Sequence, residues 1–153
     1  MIEAVIFDLD GLLIDSEPLW QEAEISVFAQ VNVMLTSELC LKTKGLRIDE
    51  VVNYWYQQYP WNNLSRSKVE ELIVDRLIEL IFLKGKPLVG VNKALSFVKS
   101  KNVKIALASS SSSRIIQAAL KKLNLTNMFA EIYSAESEKY SKVRSPSARK
   151  YIR

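Results

Sequence analysis

Residues 2–7 (IEAVIF) run almost unbroken through apolar side chains and then stop at Asp8-Leu9-Asp10-Gly11. A strand with one wet face alternates apolar and polar residues. A near-continuous apolar run reads instead as a strand buried on both faces, the habit of parallel sheets. Residues 103–108 (VKIALA) have the same character, and a third strand is predicted at 130–133. Helical patterns separate these runs: Val91, Ala94, Leu95 and Val98 before the second, then Ile115, Ile116, Ala119, Leu120 and Leu123 after it. Strands alternating with helices imply an α/β fold, a parallel sheet with right-handed crossovers.

The stretch from 15 to 86 carries only helical signals. A helix is predicted to start at Ser16-Glu17-Pro18, with Ser16 as N-cap and proline in the first turn. Ile48, Val51, Val52 and Trp55 repeat at three and four, and residues 60–63 (PWNN) read as a loop. Ser65 or Ser67 caps a long amphipathic helix that Gly85 and Pro87 stop. Residues 1–14 and 87–153 are therefore expected to form the α/β core, and 15–86 an inserted helical cap. In open parallel sheets ligands sit beyond the carboxyl ends of the strands, where Asp8, Asp10 and Ser109 fall.

Composition narrows the chemistry. The chain of 153 residues has no histidine, which removes histidine general bases, Ser-His-Asp catalysis and His-ligated zinc. Its one cysteine, Cys40, allows no intrachain disulfide. The net charge of +4 is local: residues 143–153 hold four basic groups and no acid, leaving 17 of each sign elsewhere. Such a tail reads as a solvated end, so neither nucleic acid nor membrane is an expected partner. No targeting segment or membrane span is seen, and a cytoplasmic location is expected.

Two aspartates one residue apart at a strand end repel each other unless a cation holds them. Mg²⁺ suits them, since it takes hard oxygen ligands and shares them with phosphate. Asp8 can then attack phosphorus, and Asp10 can protonate the leaving alcohol and later deprotonate water. The same residues also suit an ordinary turn, but placement directly after a buried strand favours chemistry. The Ser109 hydroxyl, with the Ser110 amide at a helix start, could hold a phosphate oxygen or simply cap the helix. Lys142 could neutralise phosphoryl charge.

Together, Asp8-Leu9-Asp10-Gly11 within FDLDGLLIDSEPLW, Ser109 after VKIALA, and Lys142 in Tyr140-Ser141-Lys142 resemble the haloacid dehalogenase superfamily. The cap stretch at 45–61 (GLRIDEVVNYWYQQYPW) looks like that of its phosphatases acting on 2-deoxyglucose 6-phosphate and hexitol phosphates. The resemblance implies a Rossmann-like core with a helical cap, and hydrolysis of a small phosphate ester. It implies Asp8 as nucleophile and Mg²⁺ ligand, and Asp10 as acid/base with its main-chain carbonyl on the metal. Ser109 and Ser110 would hold phosphate, Lys142 would steady it, and Gly45 and Arg47 would reach the substrate from the cap. A phosphosugar mutase of the same superfamily, or a non-catalytic remnant that binds phosphate or a partner, are the alternatives. The family's fourth, acidic motif has no counterpart after Lys142, where the composition changes abruptly. The expectation is a shortened or frameshifted core that lacks its C-terminal strands, with its first strand an apolar edge open to a protein partner or self-association.

Overall fold

The computed structural model describes residues 2–137. Its framework is a sheet of β1 (Ala4–Phe7), β2 (Lys104–Ser109) and β3 (Glu131–Ser134), in that order. Both pairings are parallel, with Val5 opposite Ile105 and Leu107 opposite Ile132. The α/β class expected from the alternating pattern is the class observed. Parallel neighbours cannot be joined by a tight turn, and helices make the connections. α5 (Val91–Ser100) leads into β2, and α6 (Ser113–Lys122) joins β2 to β3.

Several details differ from the sequence expectation, among them β3, which runs one residue later than 130–133. β2 is displaced by one residue, so Ser109 is its last member and pairs with Ser134. β1 is not buried on both faces: Val5 and Phe7 are half-buried, but Ala4 is exposed and Ile6 is 38% exposed. The alternation has a geometric reason: Ala4 and Ile6 point to one face of the sheet and Val5 and Phe7 to the other, and among the described residues only the second face is covered. Among the described residues β1 pairs with β2 alone.

Between β1 and α5 the chain builds α1 (Glu17–Phe28), α2 (Ser37–Cys40), α3 (Ile48–Gln58) and α4 (Arg66–Lys84), with 3₁₀ turns at Ala29–Val31 and Leu41–Thr43. Ser65 caps α4, its hydroxyl accepting from the Lys68 amide at 3.1 Å. Gly85 follows α4 at a position that only glycine fills without a clash, because a Cβ there would meet the Ile81 carbonyl oxygen at 2.5 Å. Ser16 is the N-cap of α1, but its side chain makes no capping bond and turns elsewhere.

The helical block leaves and rejoins the rest of the chain at adjacent points. The Asp15 amide donates to the Lys86 carbonyl at 3.0 Å, and the Leu88 amide to Leu13 at 3.3 Å. Ile14 and Pro87 thus lie side by side and antiparallel. The apolar core is continuous across this junction. It runs from Phe28, Trp55 and Trp61 through Ile73, Leu77 and Ile81 of α4 to Leu107, Ile115 and Ile116. α4 packs against α1 and α3 on one side and α6 on the other. Each fully buried Leu or Ile of this kind contributes about 1.5–3 kcal/mol, so α4 joins the two halves apolar face to apolar face.

Candidate active site

The carboxyl ends of all three strands meet on one side of the sheet. Asp8 follows β1 directly, and its Oδ1 accepts from the Leu9 amide at 2.8 Å. Gly11 then turns the chain with φ +70°, a conformation that L side chains adopt only with strain. Asp10 points across the strand ends and accepts at both oxygens. Oδ1 takes the Ser16 hydroxyl at 2.7 Å and the Trp20 indole N–H at 3.1 Å. Oδ2 takes the Ser111 hydroxyl at 2.7 Å and the Ser109 hydroxyl at 3.3 Å. One carboxylate therefore ties the end of β1 to the start of α1 and to the turn after β2.

That turn is itself pinned. The Ser109 oxygen accepts from the Ser111 amide at 3.0 Å, and the Ser134 hydroxyl at the end of β3 donates to the Ser111 carbonyl at 2.7 Å. The helix after it begins at Ser113 with Ser112 as N-cap. The expected placement of the Ser110 amide at a helix start is corrected accordingly. The serine side chains bond to Asp10 and to the turn itself, which keeps the bent backbone of Ser110 and Ser111 out of the helix.

A cavity of about 220 Å³ opens against these groups. Asp8, Asp10, Ser109 and Ser110 line it together, and Gly45 lines it from the helical block. Gly45 has φ +80°, which carries the chain from the 3₁₀ turn toward α3. Arg47 is not among the lining residues. Its guanidinium pairs with the Asp49 carboxylate and donates to the Ala135 carbonyl at 3.3 Å, holding α3 to the chain just after β3. That guanidinium keeps the Asp49 carboxyl below its usual range. Lys142 lies outside the described residues.

Sequence reading passed over Trp20, Glu24, Lys44 and Ser111, all of which line the cavity. A signal was present for the first two. Glu17, Trp20, Gln21 and Glu24 recur at three and four along α1 and so share one helix face. Glu24 is buried, and loss of water pushes its carboxyl up to about 7, against a smaller opposing effect of its hydrogen bond with the Cys40 thiol. The same surroundings push the Cys40 thiol up to about 12.

The donor set suits a hard cation. Mg²⁺ needs only one or two protein carboxylates when substrate phosphate and water complete its shell. Asp8 and Asp10 both line the cavity, and the Asp10 carboxylate already accepts from four donors, which leaves Asp8 and the Asp10 main-chain carbonyl as the groups that could hold the ion. Among the described residues no cluster of three acidic, cysteine or histidine side chains joins them.

Comparison with known proteins agrees with the fold. Hexitol phosphatase B of Escherichia coli is 42% identical over 142 residues, which cover 92% of this chain and 64% of that protein. A solved β-phosphoglucomutase from Clostridium difficile superposes with a TM-score of 0.77 at 26% identity, covering 92% of this chain and 65% of that one. CbbY of Rhodobacter sphaeroides, solved in complex with phosphate, gives 0.81 at 18% identity, covering 92% and 67%, a likeness of fold. The chain thus spans 64% of the length of the hexitol phosphatase it matches. With its strand-end aspartates, its parallel sheet and a family profile matching residues 5–151, the chain belongs to the haloacid dehalogenase-like hydrolases.

Proposed function

We propose that the chain carries the active site of a Mg²⁺-dependent phosphatase acting on a small sugar or hexitol phosphate. One observation carries the reading: Asp8, Asp10 and the serine turn, far apart in sequence, line a single cavity at the carboxyl ends of the strands. A carboxylate at a strand tip is the nucleophile this chain offers there, in the absence of any histidine. An Asp8 oxygen attacks phosphorus, the ester P–O bond breaks, and the alkoxide takes a proton from Asp10. Water then attacks the aspartyl-phosphate and returns a proton to Asp10, and the P–O bond to Asp8 breaks to release phosphate. Mg²⁺, held by Asp8 and the Asp10 carbonyl, would offset the negative charge that phosphate brings to two carboxylates.

Ser109 and Ser110, which line the same cavity, are assigned the phosphate oxygens, and Lys142 the balancing positive charge. Segment 15–86 acts as the cap, which closes the cavity over the sugar with Gly45 in its wall, and the enzyme works in the cytoplasm. The similarity to hexitol phosphatase B supports hydrolysis, and the similarity to a β-phosphoglucomutase supports return of the phosphoryl group to sugar as the second reading.

The test is phosphate release from glucitol 6-phosphate with Mg²⁺. Release that falls on the order of 10³-fold or more in Asp8→Asn supports the proposal. Equal rates for the two proteins end it. Isomerised hexose phosphate without free phosphate would favour the mutase.

A further inference from the structure

We propose that Glu24 selects the alcohol half of the substrate, its carboxyl accepting a hydrogen bond from a hydroxyl of a polyol phosphate whose polyol part is uncharged, and excluding sugar phosphates that also bear a carboxylate. The inference takes its phosphate end from the phosphatase reading above and narrows the substrate class.

Glu24 is only 6% exposed, yet it lines the cavity. Its Oε2 has no hydrogen-bond partner among the described residues. Oε2 is closed to solvent as the side chain stands, so a ligand reaches it when the side chain turns toward the cavity; a buried acceptor left unmade costs about 1–3 kcal/mol, more if charged, which a ligand donor would then offset. Position along α1 says which part of a ligand that is. Trp20 touches Asp10, and Glu24 lies four residues further on the same helix face, about 6 Å along the axis from the phosphate end. A sugar bound with phosphorus at Asp8 would carry its remote hydroxyls toward Glu24.

Charge chooses between hydroxyl and carboxylate. The described lining holds Asp8, Asp10, Glu17 and Glu24 against a single cation, Lys44. Lys44 already pairs with Glu17 at 3.3 Å. A ligand carboxylate would therefore enter beside buried like charge with no unpaired cation among the described lining residues, whereas a hydroxyl donates to either form of Glu24. The cavity, below the ~300–1,000 Å³ of drug-sized sites, fits a small polyol phosphate.

The test uses calorimetric binding at pH 8 with Mg²⁺, in the Asp8→Asn background so that no turnover intervenes. The probes are glucitol 6-phosphate and 6-phosphogluconate, which differ chiefly in the carboxylate. The expected preference for the polyol is about tenfold or more, the scale of a charge-assisted hydrogen bond. Glu24→Gln should shrink that preference about tenfold. Glu24→Asp should still reject the acid while binding the polyol more weakly. Glu24→Gln is isosteric and removes a buried charge, and far-UV circular dichroism checks that it folds. Equal affinities in the parent, no binding of either probe, or a preference untouched by Glu24→Gln would each overturn the proposal. Phosphate release by the unmodified chain is scored separately. Selective binding without release removes the phosphatase reading and leaves the role of Glu24; release with a preference indifferent to residue 24 does the reverse.

Discussion

Asp10 shows how much one side chain can hold. Its four donors come from the start of α1, from α1 itself and from the turn after β2. Removing the closest of the core-side donors, Ser111→Ala, should cost about 1.5–3 kcal/mol, as expected for a hydrogen bond to a charged group. Urea unfolding would measure it, and an unchanged midpoint would show that Ser109 compensates. Glu24 makes the opposite kind of contribution. Its carboxyl is raised from 4.5 in the unfolded chain to about 7 in the fold. Below about pH 4.5 both states hold the proton and burial is unpenalised. As pH rises toward 7 the unfolded chain releases its proton first, so stability falls. At about 1.4 kcal/mol per pH unit, the burden above neutrality is on the order of 3 kcal/mol. Glu24→Gln should therefore stabilise the protein at pH 8 and do little at pH 4.5. A gain of equal size at both would mean that the carboxyl is not perturbed.

At the scale of elements, helices were the legible part. The spacing of Ile48, Val51, Val52 and Trp55 gave α3, and Ser65 and Gly85 mark the ends of α4. In α4, Leu77 is fully buried where the helical block meets the sheet half. Leu77→Ala should cost about 2–5 kcal/mol, read from chemical denaturation. Gly45 supports a milder prediction. Nothing lies within 4 Å of a Cβ built on it, so Gly45→Ala would clash with nothing, and its φ of +80° leaves only backbone strain. The expected loss is about 1–2 kcal/mol, seen as a lowered melting temperature. The serine run was less legible. Five serines carry no periodicity, so which ones end a strand and which cap a helix was decided by Asp10 and Ser134, contacts remote in sequence.

Over the whole molecule, the continuous core makes a cooperative prediction. Trp20, Trp55 and Trp61, all three tryptophans of the chain, lie in the helical block, whereas far-UV circular dichroism reports every element. If α4 couples the halves as its contacts with α1, α3 and α6 indicate, fluorescence and dichroism should melt together. Two separated transitions would show that the block unfolds on its own. Among the described residues no helix is long and apolar enough to cross a membrane.

Sequence alone determined the order of strands and helices, the parallel class of the sheet and the aspartates at the end of β1, because hydrophobic period and turn chemistry are local properties. It also named the family, through a motif whose residues sit close together in the chain. Only the tertiary structure decided that Ser111 rather than Ser110 is bonded to Asp10, that Arg47 pairs with Asp49 and donates to Ala135, and that Glu24 lies buried in the cavity wall. Each of these depends on which groups are left without water or without a partner once the helices pack, and local sequence does not encode that.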